Sequence, residues 1–505
     1  MFSLGGRPLQ IGDVVRLARG RERVRLSPQA SRRIDASRRS LERIVARGIV
    51  AYGVKTGFGE LANVPISDAD ARKLQVNLLR SHAVGQGDPL PTEVVRAALL
   101  LRANTLALGY SGVRRALVGQ LVEMLNRGVH PIVPSRGSLG ASGDLAPLAH
   151  MGLVVVGEGR AEVGGRTFSG RDALRRAGLK PCELDLKEGL ALINGTAVTA
   201  ALATFAIHDG LRLLRDAQVA ASMSFEALRG SPQPFDERLV GLKPLPGVRE
   251  VARNLRRLLR GSEIIPSHKG PHRVQDPYTL RCIPQVLGAC RAAFEDAARV
   301  VQIELNAATD NPVLVGGESL SGGNFHAQAL GMAMDHIAVA MAVLAGFTER
   351  RIARLMDTRL SELPAFLTRE VGLNSGMMLL QYVAAGYASD AKVLAHPASA
   401  DSIPTSANQE DYNPMAMAAA LKARQALENA AHVVAMEYLA AAQGLEFLAP
   451  LRPGIGPRAV RKRIRASIPA LVEDRVLAGD VDRILGWMAD GKLLAAAEAV
   501  AGRLL

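Results

Sequence analysis

At 505 residues the chain is far above the size at which a core is hard to bury, and its length allows roughly two to four domains. Aromatic residues make up only 4%, and the apolar content comes mostly from Ala, Leu and Val, which suits packed helices better than sheets of β-branched and aromatic residues. The 62 Lys and Arg outnumber the 48 Asp and Glu by 14, but the arginines are scattered and often sit beside carboxylates, as in Glu349-Arg350-Arg351; with seven Tyr, eleven Phe and one Trp (Trp487) there is little aromatic interleaving, which argues against a nucleic-acid partner.

The first residues, MFSLGGRPLQ, show no basic region followed by a long apolar run, so no secretory signal is expected. Up to about residue 200 helical stretches alternate with Gly- and Pro-rich loops at Tyr52 to Glu60, His82 to Pro91 and His130 to Pro147. From Val198 onward the periodicity predicts long helices over Val198 to Leu228, Val286 to Asn306, His326 to Met356, Ser375 to Leu394 and Pro414 to Leu445. Polar connections lie between them at Val274 to Arg281, Ser321 to His326 and Ser402 to Asp411, where loops on a rigid scaffold concentrate function. The dense basic runs Arg253 to Arg260 and Arg458 to Arg465 read as exposed helix faces, and Gly454 to Leu505 as further amphipathic helices. The expectation is a mainly α protein in two parts: a smaller, loop-rich part over residues 1–200 and a long-helix bundle with C-terminal helices over 201–505. Asp335 and His336 interrupt the apolar stretch Ala327 to Phe347, which predicts buried bundle helices and no membrane span. Cys182, Cys282 and Cys290 are an odd number without paired spacing and give neither a disulfide framework nor a zinc set, so a reducing cytoplasm is the expected setting.

The most informative stretch is GSLGASGDLAPLAH, Gly137 to His150, a glycine-rich turn leading into an apolar helix. It can be read as a capped helix start, with Ser142 or Asp144 accepting backbone N–H bonds, or as an anion cradle. The spacing of a phosphate loop or of a dinucleotide fingerprint is absent.

Ala141-Ser142-Gly143-Asp144 resembles the self-processing tripeptide, plus its following Asp, of the aromatic amino acid ammonia-lyase and aminomutase family. Further segments resemble the family in the same order: YGVKTGFG from Tyr52, LINGT from Leu192, QDPYTLR from Gln275, TDNP from Thr309, SGGNFH from Ser321 and SIPTSANQED from Ser402. The resemblance spans roughly residues 10–500. It implies an ammonia-lyase/fumarase-like fold and a homotetramer whose sites are shared between subunits. It also implies a methylidene-imidazolone group, MIO, made when the tripeptide cyclises and loses two waters, with no external cofactor. The residue types suit that chemistry. Gly143 has no Cβ, so its nitrogen can approach the Ala141 carbonyl, and Ser142 can lose its hydroxyl to leave an electrophilic methylene.

The reaction must activate a poor leaving amine and remove a weakly acidic β-proton. The resemblance assigns the base to Tyr52, whose phenol, near pKa about 10 when unperturbed, needs a site that stabilises the phenolate. It assigns Arg281 to the substrate carboxylate, where a guanidinium makes two parallel hydrogen bonds. Tyr278 and Gln275 line the same site, Asn194 contacts the prosthetic group or the carboxylate, and Phe325 packs beside the group. His82 and Glu410 bear on the substrate. Family members acting on phenylalanine usually carry an apolar residue and Gln at these places, whereas those acting on histidine resemble this chain at both. Tyrosine-specific members can also carry His at the first place, so Glu410 is the sharper indicator. A buried imidazole needs such polar partners, because leaving its nitrogens unpaired costs about 1–3 kcal/mol. Tyr412 and Ile283 depart from the histidine pattern, which usually reads His and Gln there. The expected reaction is elimination of ammonia from L-histidine to give trans-urocanate; a related aminomutase, or a lyase acting on another aromatic amino acid, shares most of these motifs. His268 and His272 have the spacing of helix-borne metal ligands, but Gly270 and Pro271 between them argue for a loop, and no metal is expected.

Overall fold

The five long periodic stretches form helices at Ala197–Ala227, Ile283–Glu304, Gln328–Met356, Met378–Leu394 and Ala416–Glu446, of 31, 22, 29, 17 and 31 residues. The protein is mainly α, in this computed structural model, which describes residues 1–20, 22–48, 66–67, 70–268 and 274–505. The helix expected from Ser375 starts instead at Met378. The Asp474 carboxylate accepts the backbone N–H groups of Ser375 and Gly376 at 2.7 and 2.8 Å, and Gly376 sits at φ +59, so these residues form a turn ahead of the helix.

The chain divides into two units. The first comprises Met1–His208, Ala297–Asp335 and Pro397–Leu421. The last two segments come from the part that the sequence reading assigned to 201–505. The helix Thr92–Ala107 is buried at every position from Val94 to Ala107 except Arg96, with Arg102, Asn104 and Thr105 buried among its apolar residues. The first unit also holds short strands. Gln86–Pro89 pairs antiparallel with Pro134–Arg136, and His130–Pro131, Arg160–Val163 and Arg166–Ser169 form a three-stranded sheet. Two buried cations stiffen the interior. Lys187 Nζ donates to Asp310 Oδ2 at 2.6 Å with both side chains fully buried, and Arg102 Nε donates to the Ala191 carbonyl at 2.7 Å.

The second unit comprises Asp209–Asp296, His336–His396 and Lys422–Leu505. Its core contains a fully buried ion pair, in which Arg351 Nε and Nη2 donate to the two oxygens of Glu437 at 2.5 and 2.8 Å and Ser224 Oγ adds a bond of 2.7 Å. These donors satisfy the carboxylate that burial would otherwise strand. The basic runs are only partly the exposed faces expected. Arg253, Arg260, Arg458 and Lys462 are exposed, but Arg257 donates to the carbonyls of Ala501 and Arg503, while Arg461 and Arg465 both engage Glu446. Their partners are carbonyls at the C-terminal end of the chain and the carboxylate that ends the helix Ala416–Glu446, so these arginines turn inward. Ala197–Ala227 and Gln328–Met356 are long and apolar enough to cross a membrane, yet 78% and 56% of their most apolar windows are buried by protein, and Asp335 on the second is itself buried.

Candidate active site

In the first unit, four chain segments meet around Ala141-Ser142-Gly143. The loop from Gly137 turns into the helix Leu145–Val155, and Ala141 and Gly143 are buried with Ser142 half exposed between them. Gly143 bridges in parallel to Gly195, and Asp144 N–H donates to the Gly195 carbonyl at 2.8 Å. At φ +75, with the Gly195 carbonyl oxygen 2.3 Å from where a Cβ would stand, position 143 admits only glycine.

Asp144 departs from the capped-start reading. Its carboxylate makes no cap bond to its own helix. Oδ2 accepts the N–H groups of Val198 and Thr199 at 2.8 Å each, and Oδ1 accepts the hydroxyls of Thr199 at 2.6 Å and Ser138 at 2.8 Å. Asp144 thus caps the helix beginning at Ala197 and welds the tripeptide loop to it. Burial pushes the Asp144 carboxyl up, and the bonds from Thr199, Ser138 and Val198 oppose that shift.

Asn194 follows the short helix Glu188–Ile193, and its Nδ2 donates to the Ser142 carbonyl at 2.9 Å. Its Oδ1 is buried with no partner among the described residues. On the other side, Ser142 Oγ donates to Glu410 Oε1 at 2.6 Å and Thr405 Oγ1 donates to Glu410 Oε2 at 3.0 Å. His82 ends the helix Ala71–His82 with its Nδ1 3.0 Å from Ser81 Oγ. Burial lowers its pKa below the ordinary 6.5, and the Glu410 charge works in the opposite direction, which places the two side chains within electrostatic reach. Phe325 is half-buried in a segment tied to the same loop, since Ala327 N–H donates to the Gly140 carbonyl at 3.0 Å. Ala141, Ser142, Gly143, Asn194, His82, Glu410 and the Phe325 segment therefore share one locality. Tyr52 and its loop lie outside the described residues, as does His272.

The second unit holds a cleft of about 930 Å³ whose lining includes Gln275, Tyr278, Arg281, His268, Arg229 and Gln285. Arg281 Nη1 donates to Gln275 Oε1 at 2.5 Å, and the guanidinium lies 4.7 Å over the Tyr278 ring. Its Nε is buried and lacks a partner among the described residues. A half-buried guanidinium with an unspent donor, already oriented by an amide and an aromatic face, is equipped to receive an anion. Tyr278 itself is 68% exposed, and His268 Nδ1 lies 2.8 Å from the Ile264 carbonyl.

The sequence model of the aromatic amino acid lyase family matches residues 9–466. The chain belongs to this family. Among its relatives, the histidine ammonia-lyase of Symbiobacterium thermophilum is 50% identical over 501 residues, 99% of either chain. The crystal structure of histidine ammonia-lyase from Trypanosoma cruzi superposes with a TM-score of 0.92 at 36% identity, covering 99% of this chain and 95% of that one. That of a tyrosine aminomutase from Streptomyces globisporus gives 0.94 at 34% identity, covering 99% and 98%. The fold is that of this ammonia-lyase family.

Two residues of this family member's site were not singled out from sequence. Thr405 lies inside SIPTSANQED but carries no local sign that its hydroxyl turns toward Glu410. Thr199 reads as an ordinary helix residue, and only the approach of Asp144 from 55 positions away gives it a partner.

Proposed function

We propose that this carbon–nitrogen lyase eliminates ammonia from L-histidine to give trans-urocanate, with MIO built from Ala141-Ser142-Gly143. The observation that carries the reading is the clamp on Ser142: Asn194 on its carbonyl and Glu410 on its hydroxyl. Relatives near 50% identity that bear the name histidine ammonia-lyase support it.

The residues fit the group. Cyclisation joins Gly143 N to the Ala141 carbonyl carbon and releases one water; loss of the Ser142 hydroxyl with its α-hydrogen releases the second. Position 143 is glycine, with no Cβ to crowd the attacking nitrogen, and the Ser142 carbonyl, which stays in the ring, already has a donor in Asn194. Once formed, the group supplies an electrophilic methylene carbon to the substrate amine. Asn194 holds the adjacent oxygen as charge gathers there, as an oxyanion donor does. Glu410 and His82 meet the imidazole, and Arg281, with Gln275 and Tyr278 orienting it, receives the carboxylate; Tyr52 removes the β-proton.

We further place the enzyme in the cytoplasm as a homotetramer with shared sites. In the second unit Leu379, Tyr382, Val383 and Val393 are exposed at helical spacing along Met378–Leu394, as are Val339 and Val343 on Gln328–Met356, stripes that an assembly would cover.

The test is intact-protein mass together with turnover of an amino acid panel. The purified chain should weigh two waters less than its sequence, Ser142→Ala should lose both that deficit and activity, and L-histidine should be preferred over L-phenylalanine and L-tyrosine by up to about 10⁴-fold. An unmodified mass in an active preparation defeats the MIO assignment. Equal turnover of an aromatic substrate without imidazole removes the histidine assignment, and a dominant β-amino acid product makes the enzyme an aminomutase.

A further inference from the structure

We propose that Thr405 is a positioning residue that keeps Glu410 aimed at the tripeptide after Ser142 has lost its hydroxyl, and that it thereby sets the enzyme's recognition of substrate nitrogen. The inference rests on the proposed function and concerns how the chain as translated becomes the working site. In the translated chain the two Glu410 oxygens are divided: Oε1 accepts from Ser142 Oγ and Oε2 from Thr405 Oγ1. Processing removes the Ser142 hydroxyl, so the Oε1 bond is temporary. That loss frees one carboxylate oxygen next to the new methylene carbon, where a substrate nitrogen can take the vacated acceptor. The only side-chain bond to the carboxylate that survives among the described residues is the one from Thr405.

The backbone is built to keep these two residues face to face. Thr405 N–H donates to the Glu410 carbonyl at 2.9 Å and Glu410 N–H returns to the Thr405 carbonyl at 3.3 Å, an antiparallel bridge across a tight loop. The loop turns through Ser406, Ala407 and Asn408 at φ +52, +52 and +68, three successive non-glycine residues in the left-handed region. Each such residue is disfavoured on its own, so the surroundings must impose the turn. Asn413 does so: its Nδ2 donates to the carbonyls of Ile403 and Glu410 at 2.6 and 3.3 Å and to Thr405 Oγ1 at 3.2 Å. The Thr405 hydroxyl accepts from Asn413 and therefore directs its own proton to Glu410, a polarised chain with a defined direction.

The test is a double-mutant cycle on the holoenzyme with Thr405→Val, Thr405→Ser, Glu410→Gln and the Thr405→Val/Glu410→Gln pair, each checked for the two-water mass deficit. Thr405→Val should keep the deficit and lower kcat/KM for L-histidine by about 10- to 100-fold, as expected for loss of a hydrogen bond that aims a charged group. Thr405→Ser should stay near wild type. In the Glu410→Gln background Thr405→Val should cost little more, because the residue acts through the carboxylate. An equal loss in both backgrounds, or unchanged kinetics in Thr405→Val, overturns the proposal. If the valine variant does not fold, Thr405→Ala replaces it in the same cycle. A wild-type enzyme that prefers another amino acid counts against the histidine assignment, and the cycle run on that amino acid still decides the role of Thr405.

Discussion

Arg281 and His82 hold their side chains in ways that make separate demands on the chemistry. Arg281 spends one donor on Gln275 and stacks on Tyr278, leaving Nε buried and unpaired among the described residues. A lysine supplies the charge as a point and cannot reproduce the planar fork. Arg281→Lys is expected to lower kcat/KM by about 10- to 100-fold with the melting temperature nearly unchanged, which steady-state kinetics and thermal melting check together. His82 is held below the ordinary histidine value of 6.5, by burial first, with Glu410 opposing. Its neutral form is favoured in the folded chain, so on acidification the unfolded chain binds this proton first. Its contribution to stability is present above 6.5 and declines as pH falls. For activity, the acid limb of kcat/KM assigned to His82 should lie below pH 6.5, and His82→Gln should remove that limb. A profile unchanged in the glutamine variant shows that another group sets it.

Helices in the second unit approach one another through glycine. A Cβ on Gly247 would stand 2.5 Å from the Gly288 carbonyl oxygen, and one on Gly288 would stand 2.6 Å from Val248 N, so the helices Pro246–Leu258 and Ile283–Glu304 touch backbone to backbone. Backbone cannot swing aside as a long side chain does. Gly288→Ala must therefore push the helix that follows Arg281 away from its neighbour, at a cost of about 1–3 kcal/mol. The expected outcome is a lower melting temperature combined with a raised KM, because the displaced helix begins at Ile283, two residues after Arg281, the arginine proposed to receive the carboxylate. A drop in stability with unchanged KM would show that the loop before Ile283 absorbs the shift. The same packing logic explains the cap at Ala197: a helix of 31 residues needs its first N–H groups satisfied, and Asp144 supplies the acceptor from a distant segment.

Across the molecule as a whole, two buried carboxyls outside the site tie stability to pH. Burial raises Asp216 and Glu226 to about 7, from 3.8 and 4.5; Tyr438 donates to Asp216, and Gly454 N–H to Glu226. Because the folded values are the higher ones, the unfolded chain releases these protons first as pH rises. Stability should therefore fall between the ordinary carboxylate range and about 7 and level off above it. Melting temperatures measured across that window should fall less steeply in Asp216→Asn and Glu226→Gln; equal slopes would show that the two groups ionise alike in both states.

What could be read from the linear chain was whatever depends on neighbours a few residues apart. The apolar period marked the five long helices to within a few residues at most ends, and the tripeptide with its companion segments identified the family because each motif is contiguous. Asn194, His82, Glu410 and Arg281 were named from such motifs. Tertiary structure alone decided the partnerships. Ser142 meets Glu410 across 268 positions, Asp144 caps a distant helix by accepting from Val198 across 54 positions, and the basic run Arg458 to Arg465 turns partly inward to Glu446. The physical reason is that propensity and periodicity are set locally, whereas a hydroxyl or carboxylate takes whichever partner the folded chain brings within about 3 Å. Thr405 is the clearest case: its residue type is unremarkable, and only the left-handed turn that folds it back on Glu410 gives its proton a destination.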